Sequence, residues 1–99
     1  MNWKEKQKDL GDIKVGKKQV IIFSSTKQLD NIISLVSSCG CSVPSYNKEQ
    51  QQLIVIYTPG SIPKHLKSVG VYSTTKTITI TYEGGCSEVL SFKARVSKN

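Results

Sequence analysis

Side chains that carry out most enzyme chemistry are scarce in this chain. It has one histidine, three cysteines and seven acidic residues among 99 residues. The histidine, His65, lies in a proline-flanked loop with no nucleophile close to it in sequence, and no two carboxylates have a spacing that suggests an acid–base pair. Gly84 and Gly85 are predicted to form a turn, because a phosphate-binding loop requires a GxxxxGK motif. We therefore expect no catalytic residues, no cofactor and no enzymatic activity.

Long apolar runs are also missing. No stretch approaches the roughly 20 apolar residues of a membrane-spanning helix, so we expect no membrane partner. The beginning of the chain, MNWKEKQKDL, lacks the apolar region and small-residue cleavage site of a secretory signal. The expected localisation is cytoplasmic, or the virion if the protein is viral. An odd number of cysteines argues against a framework of paired disulfides.

Arginine is nearly absent although the chain is basic. Thirteen of the 14 cationic residues are lysines, Arg95 is the single arginine, and the net charge is +7. Arginine and aromatic side chains are favoured for hydrogen bonds to base edges and for stacking on bases. The sequence therefore lacks a group of residues suited to sequence-specific recognition of nucleic acid. We favour a solvated lysine-rich surface over direct nucleic-acid binding, with a broad attraction to an acidic protein surface as an intermediate alternative.

Alternation of apolar and polar residues dominates what the sequence does contain. The segments VLSFKARV at 89–96 and KTITITYE at 76–83 both have a period of two. The second is rich in β-branched residues, as expected of a sheet. The glycines of EGGCS lie between the two segments and predict a tight reversal. Residues 76–96 are therefore predicted to form a β-hairpin.

Shorter apolar runs predict the remaining strands. These runs are 19–25, 31–38 and 52–58, with 12–16 as a first edge strand. Turn-forming residues separate them, including SVPSYNKEQ at 42–50, and a helix is expected only near 63–68. Six or seven strands separated by turns predict an all-β sandwich.

The motif SSCGCSVP places two cysteines on either side of Gly40. In an extended strand, residues i and i+2 have Cα atoms about 7 Å apart and parallel Cβ vectors, which argues against a disulfide between Cys39 and Cys41. An alternative is a zinc site made of Cys39, Cys41, Cys86 and His65. The CxC spacing argues against this site, and so does the expected position of Cys86 at the opposite end of the sandwich. We therefore interpret Cys39, Gly40 and Cys41 as a structural bend with buried free thiols, and expect no metal.

The order of these segments resembles a known family. From about Leu10 to Val96 the chain is similar to the bacterial Ig-like family of unknown function that carries a Ser-Cys-Gly-Cys-Thr signature, which is related to the Hydin-like and abnormal-spindle-type Ig-like domains. The most specific match is Ser-Cys-Gly-Cys-Ser at 38–42, and Gly11 and the Tyr-Thr-Pro at 57–59 also fit. The family's Pro-Gly-Glu and Asn-Thr-Gly turns are replaced here by NKEQQQ and STKQLD.

This resemblance implies an Ig-like β-sandwich of about seven strands that serves as a non-enzymatic module in a larger assembly. We place a single Ig-like domain at 10–97 and an N-terminal arm at 1–9. Trp3 in the arm is either a lid on the domain's own core or an anchor in a partner's pocket. The other candidate partner-binding residues are lysines of the arm and of the 59–70 loop, namely Lys4, Lys6, Lys8, Lys64 and Lys67.

Virus particles are the commonest assemblies with added Ig-like domains, and this analogy gives the functional expectation. We expect a bacteriophage virion component, an auxiliary (decoration) protein whose partners are subunits of the assembly such as the major capsid protein. Capsid exteriors are often acidic, which suits a charge of +7. The alternative is a free-standing bacterial Ig-like module that binds a protein or glycan through the 59–70 loop.

Overall fold

The computed structural model describes residues 2–98, and its regular secondary structure is almost entirely β-strand. The strands are β1 (Gln7–Lys14), β2 (Gln19–Ser24), β3 (Ile32–Ser37), β4 (Ser42–Asn47), β5 (Gln52–Tyr57), β6 (Val71–Tyr82) and β7 (Ser87–Ser97). One turn of 3₁₀ helix, Lys64–Leu66, lies in the loop between β5 and β6. Among the described residues, no helix has the length and apolar character needed to cross a membrane. The predicted all-β class with about seven strands is confirmed.

Two sheets form the sandwich. The four-stranded sheet has the order β1-β7-β6-β3, and the three-stranded sheet has the order β2-β5-β4. The pairing of β1 with β7 is parallel and all other pairings are antiparallel. This connectivity is that of an Ig-like sandwich in which the first strand lies beside the last.

The longest pairing is the β6–β7 hairpin. Its register runs without interruption from Val71 opposite Ser97 to Thr81 opposite Ser87. Gly84 and Gly85 adopt φ values of 91° and 90° in the turn, a region that side chains with a Cβ rarely enter. The hairpin predicted from alternation is therefore confirmed, and β6 begins five residues earlier than predicted.

The core lies between the facing sides of the two sheets. Phe23, Leu53 and Val55 of the three-stranded sheet are completely buried. Tyr57 and Phe92 meet across the interior with ring centroids 5.1 Å apart. Burial of each side chain of this size contributes about 1.5–3 kcal/mol, so the inward faces account for most of the stability. The other buried residues of this core are Trp3, Ile13, Ile21, Leu29, Ile78, Ile80, Tyr82, Leu90, Ala94 and Val96.

One strand was not predicted. Residues of the 42–50 stretch were expected to be a loop, but Ser42–Asn47 forms β4. Pro44 has no N–H to donate, which is why it suggested a break. β4 is an edge strand with a single neighbour, β5, and an edge tolerates proline because one side of the strand needs no partner.

The predicted boundary between arm and domain is wrong. It falls between residues 9 and 10, which are consecutive residues of β1. The backbone of Trp3 also forms a bridge with Ser25 at the end of β2, and Lys4 N–H donates to Ser24 O at 2.9 Å. The arm belongs to the sandwich because hydrogen bonds and burial hold it there. Met1, the first residue of the predicted arm, lies outside the described residues.

Candidate interaction surface

The outer side of the three-stranded sheet is unusually apolar. Three rows of side chains cross the sheet on this side. The rows are Val20, Ile56 and Val43, then Ile22, Ile54 and Ser45, then Ser24, Gln52 and Asn47. Five of these nine positions are aliphatic and none is charged. We call these nine positions the apolar face.

Solvent reaches the aliphatic part of the apolar face. Val20 and Val43 are more than 60% exposed, and Ile56 between them on the central strand is 42% exposed. Isolated exposed aliphatic residues are common on protein surfaces, whereas contiguous groups mark contact sites. The apolar face is therefore the first candidate for a site of protein contact.

The outer side of the four-stranded sheet has a different character. Lys93 on β7 lies 3.8 Å from an Asp9 carboxylate oxygen on β1, and Arg95 lies 3.7 Å from Asp12. Ser73 and Thr75 of β6 lie opposite Arg95 and Lys93. Exposed ion pairs contribute little to stability, but they keep this side solvated. The two outer sides of the sandwich are thus chemically distinct.

The side of the sandwich formed by β3 and β4 continues the apolar character. No charged residue occurs from Asn31 to Asn47, a stretch that includes both strands and the turn between them. Ile33 and Val36 of β3 are also more than half exposed. Charged residues occur only beyond the end of β4, where Lys48 and Glu49 border the surface next to Asn47 and Ile54.

Trp3 does not belong to any exposed site. Its side chain is only 1% exposed, its indole packs edge-on against the ring of Tyr46 at 5.9 Å, and Nε1–H donates to the Tyr82 hydroxyl at 3.0 Å. The prediction of Trp3 as a partner-binding residue is corrected, because the side chain is already buried in its own domain. The alternative of a lid on the core is confirmed.

The lysines of the arm are occupied within the domain. Lys6 Nζ lies 3.2 Å from Glu88 Oε2. Lys8 lies above the ring of Phe23, with Nζ 5.9 Å from its centroid. Lys4 is exposed and lies beside β2 through its backbone. The structure does not bring these three lysines together with Lys64 and Lys67, which lie at the opposite end of the sandwich.

The 59–70 loop borders a shallow open groove. Val15 and Ile62 supply its apolar lining, and Lys67 and Lys98 supply its cationic rim. Gly16 N–H donates to Pro59 O at 3.0 Å and joins the β1–β2 turn to this loop. Lys64 is exposed on the 3₁₀ turn beside it. The groove is the second candidate site.

Cys39 and Cys41 form a disulfide, and the prediction of buried free thiols is wrong. The prediction assumed an extended strand, in which the Cα atoms would be too far apart. Residues 38–41 instead turn from β3 to β4, and the two Cα atoms are 5.2 Å apart, within the ordinary range for disulfides. Both cysteines are only half-buried. The predicted structural bend around Gly40 is present.

The four residues considered for zinc lie apart. Ser38 N–H donates to Thr77 O, which places the Cys39–Cys41 turn beside the middle of β6. Cys86 is an exposed free cysteine in the β6–β7 turn, and His65 lies on the 3₁₀ turn that precedes β6. Within residues 2–98, no three His, Cys, Asp or Glu side chains are grouped so as to hold a metal ion.

Comparison with known proteins gives the fold alone. The chain matches no known family profile and no curated protein. A solved structure of the SrpA adhesin from Streptococcus sanguinis, a single-residue mutant, aligns with the whole of this chain at a TM-score of 0.59 and 12% sequence identity. The chain spans 60% of the length of that adhesin chain. The likeness supports the β-sandwich, and at this identity it shows nothing further.

Sequence reasoning did not find the apolar face, although a signal was present. A strand with one solvated side normally alternates, as β7 does. The runs QVIIF and QLIVIY do not alternate, a pattern that is expected of strands buried on one face or near both. Only the sheet order and the exposures show that, within residues 2–98, nothing covers the outer side of the sheet that contains β2 and β5.

Proposed function

We propose that this protein is a non-enzymatic interaction protein that docks onto a partner protein through the apolar face. The observation that supports this proposal is the row of Val20, Ile56 and Val43, three exposed aliphatic side chains on neighbouring strands with no charge among them. Removal of such area from water contributes about 25 cal/mol per Å², so a partner that covers it gains affinity.

The larger assembly in this proposal is a bacteriophage particle, on which the protein is an auxiliary capsid protein. Support comes from the net charge of +7, which suits an acidic particle surface, and from the compact Ig-like sandwich with its arm fixed to the core. The step from fold to virion is an analogy between architectures.

A second candidate function is ligand binding by a bacterial Ig-like module. The groove beside the 59–70 loop supports it, since Ile62 and Val15 form an apolar lining next to Lys67 and Lys98. The SrpA neighbour is an adhesin, and an attachment role for this chain would agree with that likeness. A ligand that fits the groove would combine an apolar part with a negative charge.

Co-sedimentation with particles purified from the source of the protein tests the leading proposal. Val43→Lys places a charge on the apolar face, whereas Val89→Lys makes the same change at an exposed strand position of the other sheet. We expect the wild type and Val89→Lys to sediment with particles in a fixed ratio and Val43→Lys to remain in the supernatant. Equal binding by all three forms would exclude the apolar face.

The same experiment separates the two candidates. Melting temperatures of the two variants serve as the folding control, because both positions are exposed and a change within a few degrees is expected. Absence of the wild type from particles would reject the virion role. Loss of ligand binding in Ile62→Lys but not in Val43→Lys would then favour the module that binds through the groove.

A further inference from the structure

We propose that the partner on the apolar face is a different protein. Its contact surface carries carboxylates along one border, and this border lies against the end of the three-stranded sheet where β2 begins. This inference rests on the proposed function, because it specifies the chemistry of the partner at the same face. It depends on how charge is distributed between the two ends of the three-stranded sheet.

Three loops lie at the end where β2 begins. In the register of the sheet, Gln19 of β2 and Ser42 of β4 both pair with Tyr57 of β5, so the turns before β2 and β4 and the loop after β5 share this end. We call it the cationic end, because these three loops contain four lysines and no acidic residue: Lys17, Lys18, Lys64 and Lys67. All four side chains are exposed.

Charges at the other end of the sheet cancel. There, Ser24, Gln52 and Asn47 form the last row, and the loops 25–31 and 48–51 follow. These loops contain two lysines and two acids, which are Lys27, Lys48, Asp30 and Glu49. The arm lies beside the end of β2 and adds one charge of each sign, on Lys4 and Glu5. Of the two ends of the three-stranded sheet, only the cationic end therefore gives the apolar face a border with a net charge.

A second copy of the chain does not match this pattern. Its corresponding face offers one end with four lysines and another with no net charge, so neither end supplies the negative border that the cationic end would attract. With like ends together, two sets of four lysines would face each other, and like-charge contacts across an interface cost several kcal/mol. An acidic border on a different protein satisfies the cationic end without such repulsion.

The apolar face is too small to form a stable interface by itself. Six residues along each strand and three strands across give a footprint of roughly 300 Å². A stable interface usually buries about 800 Å² on each partner. The apolar face is therefore only the centre of an interface, and the adjoining cationic end is suited to be its polar rim.

Photo-crosslinking identifies the occupant. A photoreactive amino acid is placed at position 43 on the apolar face and, as a matched control, at position 89 on the other sheet, in protein produced in its source cells. We expect position 43 to crosslink to one protein whose attached peptide lies next to several Asp or Glu residues, and position 89 to give no such product. A crosslink to a second copy, or none from position 43, would overturn the proposal.

Reversal of the lysine charges at either end of the three-stranded sheet tests whether the cationic end contacts the partner. The protein identified by crosslinking is purified and used as the binding partner in this experiment. The double variant Lys18→Glu, Lys67→Glu changes the cationic end. The control Lys27→Glu, Lys48→Glu makes the same change of charge at the other end. We expect the first to slow association by about tenfold or more at low ionic strength, with a smaller effect at 0.5 M salt, and the control to change the rate less than twofold.

These outcomes separate this inference from the proposed function. Equal effects of the two double variants would overturn the one-sided border and leave docking through the apolar face intact. Unchanged association of Val43→Lys with the captured partner would reject the face itself. Sedimentation velocity of the isolated protein adds a third measurement. If the wild type forms a dimer and Val43→Lys is a monomer, the apolar face binds a second copy, which would contradict the proposal of a different protein.

Discussion

The indole Nε1–H of Trp3 donates a hydrogen bond to the hydroxyl of Tyr82, although the two residues are 79 positions apart in the chain. The Tyr82 hydroxyl in turn donates to Glu88 Oε1 at 2.7 Å, and the same carboxylate oxygen accepts from Asn2 Nδ2 at 2.9 Å. This chain of hydrogen bonds connects the first residues to the β6–β7 hairpin. The arm is therefore part of the folded domain.

Replacement of Trp3 should lower the stability of the whole domain. Trp3→Ala removes a fully buried ring and leaves a cavity, which typically costs about 3–5 kcal/mol. For a domain of this length we expect a fall in melting temperature of roughly 10 °C or more in calorimetry. Trp3→Phe is the control and should be less destabilising, since it keeps one buried aromatic ring while it loses the hydrogen bond and the rest of the indole. A Trp3→Ala variant that melts like the wild type would show that the ring is not part of the core.

Glu88 should make stability depend on pH. Burial by itself raises the pKa of this carboxyl group, but hydrogen bonds from Tyr82 and Asn2 and the nearby Lys6 outweigh burial and lower the pKa below its ordinary value of 4.5. A carboxyl group with a lowered folded-state pKa stabilises the fold fully above 4.5. That contribution is lost as the pH falls through the lower folded-state value.

Glu88→Gln tests this linkage. We expect the variant to be less stable than the wild type by about 1–2 kcal/mol at pH 7, because hydrogen bonds to a charged group are lost. Urea denaturation at pH 7 and at pH 3 should show the difference shrinking at the lower pH. Glu83→Gln is a matched control on the same hairpin, at an exposed position. A difference that stays constant over this pH range would contradict the lowered pKa.

The sequence alone predicts a strand correctly where the local pattern of apolar residues matches the burial of that strand in the fold. The alternation of 76–83 and 89–96 predicted β6 and β7 because each of these strands has one buried and one solvated side. The apolar runs at 19–25 and 52–58 predicted β2 and β5. Local pattern is informative in these cases because the side-chain period of a strand is two.

The remaining features depend on positions that only the tertiary structure defines. Pro44 is compatible with a strand because that strand lies at an edge, and the sheet order is not written in the local sequence. Trp3 is buried because its backbone pairs with Ser25 just after β2 while its indole contacts Tyr46 of β4 and Tyr82 of β6. The Cys39–Cys41 pair is close because the chain turns there, and the glycine between them gave no indication of the distance.

Ser25 should be a stabilising residue despite its small size. Its buried Oγ lies 2.7 Å from Lys27 O, 2.8 Å from the Tyr46 hydroxyl and 3.1 Å from Gln51 O. Ser25→Ala leaves these buried polar groups with fewer partners, which costs about 1–3 kcal/mol. Ser24→Ala, one residue earlier on the outer side, should change stability by less than about 0.5 kcal/mol. Equal values for the two variants in urea denaturation would show that Ser25 contributes no more than an ordinary surface serine.

The disulfide between Cys39 and Cys41 predicts the number of reactive thiols. Native protein kept free of reductant should react with a thiol reagent at one residue per chain, the exposed Cys86, and reduced, unfolded protein at three. Three reactive thiols before reduction would contradict the disulfide. Cys86→Ser is the control that should abolish the native reaction without loss of stability, because that side chain lies at the surface.

The same disulfide should stabilise the fold only slightly. A crosslink acts chiefly by restricting the unfolded chain, and its effect grows with the length of the loop that it closes. This loop contains three residues, so the chain-entropy relation limits the effect to about 1.5 kcal/mol. The double variant Cys39→Ser, Cys41→Ser should therefore still fold and should lose at most this amount in urea denaturation. A larger loss would mean that the pair also stabilises packing between β3 and β4, because Cys41 contacts the core.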